Sequence, residues 1–424
     1  MRKFIFIMSS FNRATRVIFV VLMCLMNSCS TEKGELFVMN IDSPTGSIDL
    51  KLSDLLSDIR IIPLETKDDV LLTTKGAFKV SSKYIVYYSS SEMHLFDKDG
   101  KHLRLLTAAG GGPNEFRQII NAFIDEENDI FYYTDVKNRT ALCRINLLNG
   151  TYLEPIEREK NTENFSMADM DNVGNIYGFF PAESLNFFSG SNKNDTSNCY
   201  ITYKYNVNKN TIEGVEVSRS YISSGLNRSV SGYGDGAYIY DSSYADTLFF
   251  YRKNKVSPAI IVRMKDIITD LQAGGNTCSI NIVYEGGFLL KHSHPKVDIR
   301  TGISGNIESI SVVNPTNNYF LADNKNGGLF IIKNFYIDPI GATINITKAI
   351  DQEQRDSELL NIDEFVKKSG DYGFCLIDAF KMESLIEEAL AGDKLSGSEK
   401  EALSTLGAGI DEDSNPVVIT GKIR

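Results

Sequence analysis

Short apolar stretches alternate with turn residues along most of the chain, and the pattern is clearest over residues 78–155. Tyr84-Ile85-Val86-Tyr87-Tyr88 and Met93-His94-Leu95-Phe96 read as strands. Asp97-Lys98-Asp99-Gly100 then reads as a hairpin turn, because Asp99-Gly100 supplies residues that tolerate positive φ, and 101–106 is the returning strand. The same order recurs in Phe123-Ile124-Asp125, the polar turn Glu126-Glu127-Asn128-Asp129, the strand 130–135, the strand 141–147 and the turn Asn149-Gly150. Strands spaced about 8–12 residues apart in a repeat of roughly 40–50 residues have the period of a four-stranded propeller blade.

Alternation extends the pattern. Strands at 165–169, 174–179, 201–207 and 215–218 predict a third blade, and those at 237–240, 247–251 and 259–263 a fourth. Residues 264–306 fit least well, with a helix expected over 264–271 and a hairpin over 281–290. A fifth blade takes 307–313, 318–322 and 328–333, and a sixth takes 372–377 with the terminal run 416–423. A helical piece is expected over 357–368. A helical insertion at about 381–410 follows, amphipathic through Leu385, Ile386, Ala389 and Leu390, with Ser398 and Glu401 as a capping box for its second helix. The expected fold class is therefore all-β: a six-bladed β-propeller over 47–424 with a small helical insertion near the C-terminus. Its N-terminal strand should pair with strands from the C-terminal end, since closure removes exposed sheet edges.

The N-terminus sets the compartment. Residues 1–28 carry Arg2, Lys3, Arg13 and Arg16 with no acid, followed by the apolar run 17–26, which has signal-peptide length and is too short to span a bilayer. Asn27-Ser28-Cys29 after that run resembles the lipobox of bacterial lipoproteins. The resemblance implies cleavage before Cys29 and acylation of its thiol; a cleaved soluble protein and an uncleaved anchor are the alternatives. Cys24, behind bulky Met23, is the poorer acylation site, and Met8 is a second candidate start. Residues 29–46 read as a tether. Removing 1–28 moves the net charge from −11 to −15, which argues against nucleic acid as a partner and leaves membrane contact to the lipid anchor. Twenty Tyr and 24 Phe with no Trp fit a β-rich body and exclude the Trp-Asp propeller repeat.

The run Phe96-Asp97 with Gly100-Lys101, then Gly110-Gly111-Gly112-Pro113-Asn114-Glu115-Phe116, Ala122-Phe123-Ile124-Asp125, Asn128, Tyr133-Thr134-Asp135 and Asn138-Arg139, resembles an NHL-type propeller repeat. With Ile61-Ile62-Pro63-Leu64-Glu65-Thr66 as the opening strand and the lipobox before it, the chain resembles the six-bladed β-propeller lipoproteins of Bacteroidota. That family has no settled activity. The resemblance implies a location in the cell envelope of a Gram-negative bacterium, at the outer membrane.

Candidate chemistry is sparse. Gly110-Gly111-Gly112-Pro113 lacks the Gly-Lys-Ser/Thr ending of a phosphate loop and reads as a tight crossing between blades. His292-Ser293-His294 places two imidazoles at period two, a possible seed for a metal site, against the plainer reading of exposed loop histidines beside Pro295. Asp125-Glu126-Glu127 and Asp411-Glu412-Asp413 read as solvated turns, with loose divalent-ion binding as the alternative. Cys143, Cys199, Cys278 and Cys375 lack zinc spacing and read as buried, reduced thiols. There is no Gly-x-Ser-x-Gly, no His-Glu-x-x-His and no Cys/His pairing, so no catalytic residue and no metal ligand is assigned. Asp135 and Arg139 are the residues chosen for a partner-binding face, weighed against an ion pair within the blade. The expected function is a non-catalytic binding or scaffolding module for an envelope protein, peptide or glycan, with no cofactor. The alternative is a calcium-dependent hydrolase or lyase with inward-facing acids at the central channel, and a role beside an outer-membrane uptake complex ranks third.

Overall fold

A computed structural model describes residues 36–72, 76–157, 166–171, 173–179, 199–217, 228–241, 247–263, 277–301, 307–323, 327–345 and 366–424. The signal segment, Cys24, Cys29 and the expected helix at 264–271 lie outside these residues. The alternation seen in the sequence produces two kinds of strand. Middle strands such as Tyr84–Tyr88, Glu92–Asp97 and Ile130–Asp135 are buried over nearly their whole length. Outer strands such as His102–Ala108 alternate exposed and half-buried positions along their first half. A middle strand has a packed sheet against each face, whereas an outer strand has water on one side, so only the outer ones keep a period-two pattern.

The strands form six hydrogen-bonded sheets. In chain order the first holds Ala77–Val80, Tyr84–Tyr88, Glu92–Asp97 and His102–Ala108. The second holds Ile119–Asp125, Ile130–Asp135, Asn138–Asn146 and Tyr152–Glu157, and the third holds Ser166–Met170, Asn175–Phe179, Cys199–Asn206 and Thr211–Val217. The fourth is Arg228–Tyr233, Gly236–Asp241, Thr247–Arg252 and Lys255–Arg263, with Phe37–Asn40 added in parallel at its outer edge. The fifth is Thr277–Tyr284, Gly287–Thr301, Ile307–Asp323 and Gly328–Ile337, with Gly46–Lys51 parallel and Ala342–Asn345 antiparallel to its last strand. The sixth is Lys367–Ser369, Tyr372–Ile377, Val417–Ile423 and Leu56–Pro63. The first-named strand of each sheet packs against the first-named strand of the next, and the Val80 amide donates to the Ser369 hydroxyl at 3.0 Å between the first and sixth sheets.

A hydrophobic cluster lies at each junction between neighbouring sheets. Phe78, Val80 and Ile85 meet Phe374, Leu376 and Val418 between the first and sixth, and Tyr177 and Val215 meet Ile239 and Phe249 between the third and fourth. Burial of each such side chain stabilises the fold by about 1.5–3 kcal/mol, so these clusters hold sheet to sheet where no backbone ladder runs. The arrangement is all-β and propeller-like, with few helices. As expected, the N-terminal and C-terminal ends pair: Leu56–Pro63 runs antiparallel to Val417–Ile423, with Ile62 opposite Val418.

Three expectations are corrected. The compact unit starts at Phe37, not at residue 47, because the stretch read as a tether already contributes a strand to the fourth sheet. Lys367–Ser369 is a strand and not the end of a helix over 357–368, because its ladder to Tyr372–Ile377 overrides local helix preference; residues 346–365 lie outside the described set. The helices of the insertion are Ala379–Ala391 and Gly397–Gly407, and the capping box is Ser396 with Glu399, two residues earlier than Ser398 with Glu401. The first helix buries Met382, Leu385, Ile386 and Ala389 against the junction of the fifth and sixth sheets. Among the described residues no helix is long and apolar enough to cross a membrane.

Candidate functional site

The turns that follow the inner strands gather at one mouth of the arrangement. They enclose a cavity of about 510 Å³ lined by Ser81, Glu126, Tyr132, Asp171, Val173 and Asp371 among others, drawn from the first, second, third and sixth sheets. Most of the acids here have structural duties. The Asp171 carboxylate accepts from the amides of Val173 and Asn175, the Asn175 side chain and the Tyr177 hydroxyl, at 2.8–3.1 Å. Burial raises the Asp171 pKa above the usual carboxylate value, and those hydrogen bonds oppose the rise. Asp125 accepts from the amide and side chain of Asn128 in the same way. Glu126 accepts from the amide and hydroxyl of Ser82, and Lys83 bonds the Glu126 carbonyl and Asp129, so the first two turns are tied together. Of the cluster Asp125-Glu126-Glu127, Asp125 and Glu126 are therefore turn braces at a cavity rim, and Glu127 lines the cavity. Asp411 is bonded to Ser414 in the segment after the second helix, in keeping with a turn acid.

Below the rim the inner strands carry cations. Lys368 reaches from the sixth sheet to the third and fourth, bonding Asp169 Oδ2 at 2.5 Å and the Gly232 carbonyl at 2.6 Å. Asp169 Oδ2 also accepts from the Gly232 amide at 2.8 Å. Lys79, on the inner strand of the first sheet, holds its ammonium 5.6 Å from the centre of the Phe123 ring. It has no hydrogen-bond or ion-pair partner among the described residues. Burial lowers the Lys79 pKa; Asp169 opposes the shift, and Lys368 and Lys367 add to it. Among the described residues no three His, Cys, Asp or Glu side chains form a group placed to hold a metal ion.

The residues singled out in the sequence do not converge on this cavity. Asp135 is 4% exposed and its carboxylate braces a loop, accepting from the amides of Arg117, Gln118 and Lys137 at 2.9–3.2 Å. Arg139 is exposed at the start of the third strand of the same sheet. The Gly110-Gly111-Gly112 loop is the crossing from the first to the second sheet, and it wraps a carboxylate of its own: Glu115 accepts from the Gly112 amide at 2.6 Å. His292 is 2% exposed in the fifth sheet, not on a loop, because its strand continues to Thr301; the side chain of His294 lies outside the described set. Cys143 and Cys375 are free thiols whose pKa burial raises; the side chains of Cys199 and Cys278 lie outside the described set.

The other two histidines meet in the first sheet. His94 Nδ1 lies 3.1 Å from His102 Nε2, and His94 Nε2 lies 3.2 Å from Glu92. Burial, then His94 and Lys67, hold the His102 pKa below its ordinary value, with Asp69 and Glu65 opposing. A histidine with a depressed pKa binds fewer protons folded than unfolded, so its contribution is full above about pH 6.5 and is lost as pH falls through the folded value. The melting temperature should drop as pH falls from 7 to 5, and His102→Asn should flatten that slope in a thermal-denaturation series.

The comparisons with known proteins fit this architecture. A family model described as Domain of unknown function (DUF4934) matches residues 36–422, nearly the whole described unit. The chain belongs to the DUF4934 family. No curated protein matches it. Among solved structures, a Bacteroides fragilis protein described as a candidate exported protein is similar at 14% identity and a TM-score of 0.53, covering 92% of this chain and 99% of that one. The N-terminal domain of Nup159 is a more distant likeness at 10% identity and a TM-score of 0.39, over 68% of this chain and 70% of that one. At 14% identity the likeness to the Bacteroides fragilis structure is one of fold.

Proposed function

We propose that this DUF4934 protein is a six-bladed β-propeller, carried on a lipid at Cys29 in the cell envelope, that binds a peptide or glycan without transforming it. The six sheets with a hydrophobic cluster at each junction support the blade count. The envelope location draws on the apolar run 17–26 and on the described nature of the Bacteroides fragilis likeness. The observation that carries the binding role is the mouth cavity. Its walls are turns fixed by Asp171, Asp125 and Glu126, so a ligand meets a surface already ordered, and little conformational entropy is lost on binding.

Val173 and Asn208 are exposed wall residues of this cavity. Val173→Trp and Asn208→Trp would fill the mouth without touching the core. Peptide and glycan arrays probed with residues 30–424 should return a defined ligand that each Trp variant binds at least tenfold more weakly by calorimetry. A ligand bound equally by both variants, or no ligand on either array, would overturn the reading.

A further inference from the structure

We infer that the lumen beneath the mouth is an oxyanion site, in which Lys79 binds a carboxylate or phosphate group of the ligand and Lys368 and Lys367 set the field around it. The inference rests on the binding reading above and names the chemical class that the site takes.

The cavity wall includes Val80, Met170 and Ser369, and one residue back along each of those inner strands stand Lys79, Asp169 and Lys368. Lys368 and Asp169 are joined there by an ion pair, and the Lys79 ammonium feels the charges of Asp169, Lys368 and Lys367. The carboxylate is already committed, since Asp169 accepts from Lys368, the Gly232 amide and the Met170 amide. Lys368 is equally committed, to Asp169 and the Gly232 carbonyl. Lys79 is the member of the cluster with an ammonium to offer, and its nearest described company is the face of Phe123. Its side chain is half-buried, one residue along the strand from the cavity-lining Val80.

An ammonium without a hydrogen-bonded partner in such a place weakens the fold, because burial strips water from the charge and two further cations repel it, against the attraction of the already bonded Asp169. Selection for stability alone would replace it with Met or Leu. An oxyanion removes the conflict: it supplies the missing countercharge, accepts up to three hydrogen bonds from the ammonium, and offsets the repulsion between Lys79 and Lys368. The acidic rim above, with Glu127 and Asp371, would then reject polyanions such as nucleic acids and favour a ligand that carries its negative group at one end.

The test is calorimetric titration of residues 30–424 with inorganic phosphate and, separately, with D-galacturonate, at constant ionic strength balanced by potassium chloride. At least one probe should bind the wild type at one site per chain. Lys79→Met should weaken that binding at least tenfold while melting cooperatively; Lys79→Arg should retain it; exposed Lys209→Met should leave it unchanged. Phosphate binding alone would assign a phosphate group, and galacturonate binding alone a sugar carboxylate. Failure of both probes, or equal binding by Lys79→Met, would overturn the inference. The Val173→Trp and Asn208→Trp variants separate it from the wider reading: an array ligand lost in those variants but indifferent to Lys79→Met leaves the mouth standing without the oxyanion site.

Discussion

Deleting residues 416–424 should leave a chain that no longer unfolds cooperatively. Val417–Ile423 lies between Tyr372–Ile377 and Leu56–Pro63, so its loss strips a ladder partner from both strands at once. Val417, Val418 and Ile419 are fully buried, and their side chains belong to the clusters that join the sixth sheet to the fifth and first. Truncating any one of them to alanine costs about 2–4 kcal/mol, a large part of the 5–15 kcal/mol by which a domain is usually stable. Ile419→Val provides the graded case that still folds, with an expected cost of about 0.5–1.5 kcal/mol in urea. A synthetic peptide of residues 416–424 added to the deleted chain should restore part of the transition by strand addition. A deletion that melts like the parent would mean that the terminal strand is dispensable.

Asp169→Ala should be the most damaging single change on the inner strands. It leaves Lys368 without its carboxylate, with Lys79 and Lys367 still nearby. Breaking a buried pair in this way costs about 3–5 kcal/mol, whereas replacing both members with apolar residues is often neutral. The side chains of Lys368 and Asp169 are 11% and 17% exposed, so solvent screening is slight. Urea denaturation of Asp169→Ala should therefore show a shift in midpoint of that size, and Asp169→Leu with Lys368→Met should recover most of it. Equal losses in the single and double variants would show that the pair is not the source of the effect.

What the sequence made legible follows from how local each signal is. The hairpins 84–106 and 123–147 were readable because turn residues and alternating apolar runs act within about 20 residues, and the terminal strand because 416–423 is a dense β-branched run. The strand Phe37–Asn40 was not, because its partner lies more than 200 residues away and its sequence, FVMN, is only four residues long. The lysines of the lumen were hidden for a different reason. Lys367-Lys368-Ser369 reads as a solvated helix end, and only the meeting of inner strands turns it inward. At Asp135 an acid at a strand end suggested a face for a partner, and in the structure its carboxylate accepts from three backbone amides. Residue type announced charge in both cases; the topology decided which charge was left over.

The pairing of Leu56–Pro63 with Val417–Ile423, and of Phe37–Asn40 and Gly46–Lys51 with strands far along the chain, also orders events in time. Of the three strands, Leu56–Pro63 waits longest for its partner. At about 5–20 residues per second, synthesis from residue 56 to residue 423 takes roughly 20–70 s, and for nearly all of that interval the strand at 56–63 lacks the strand it pairs with. The sixth sheet thus stays incomplete until residues 417–423 have been made, and through most of synthesis the strand at 56–63 is an unpaired edge.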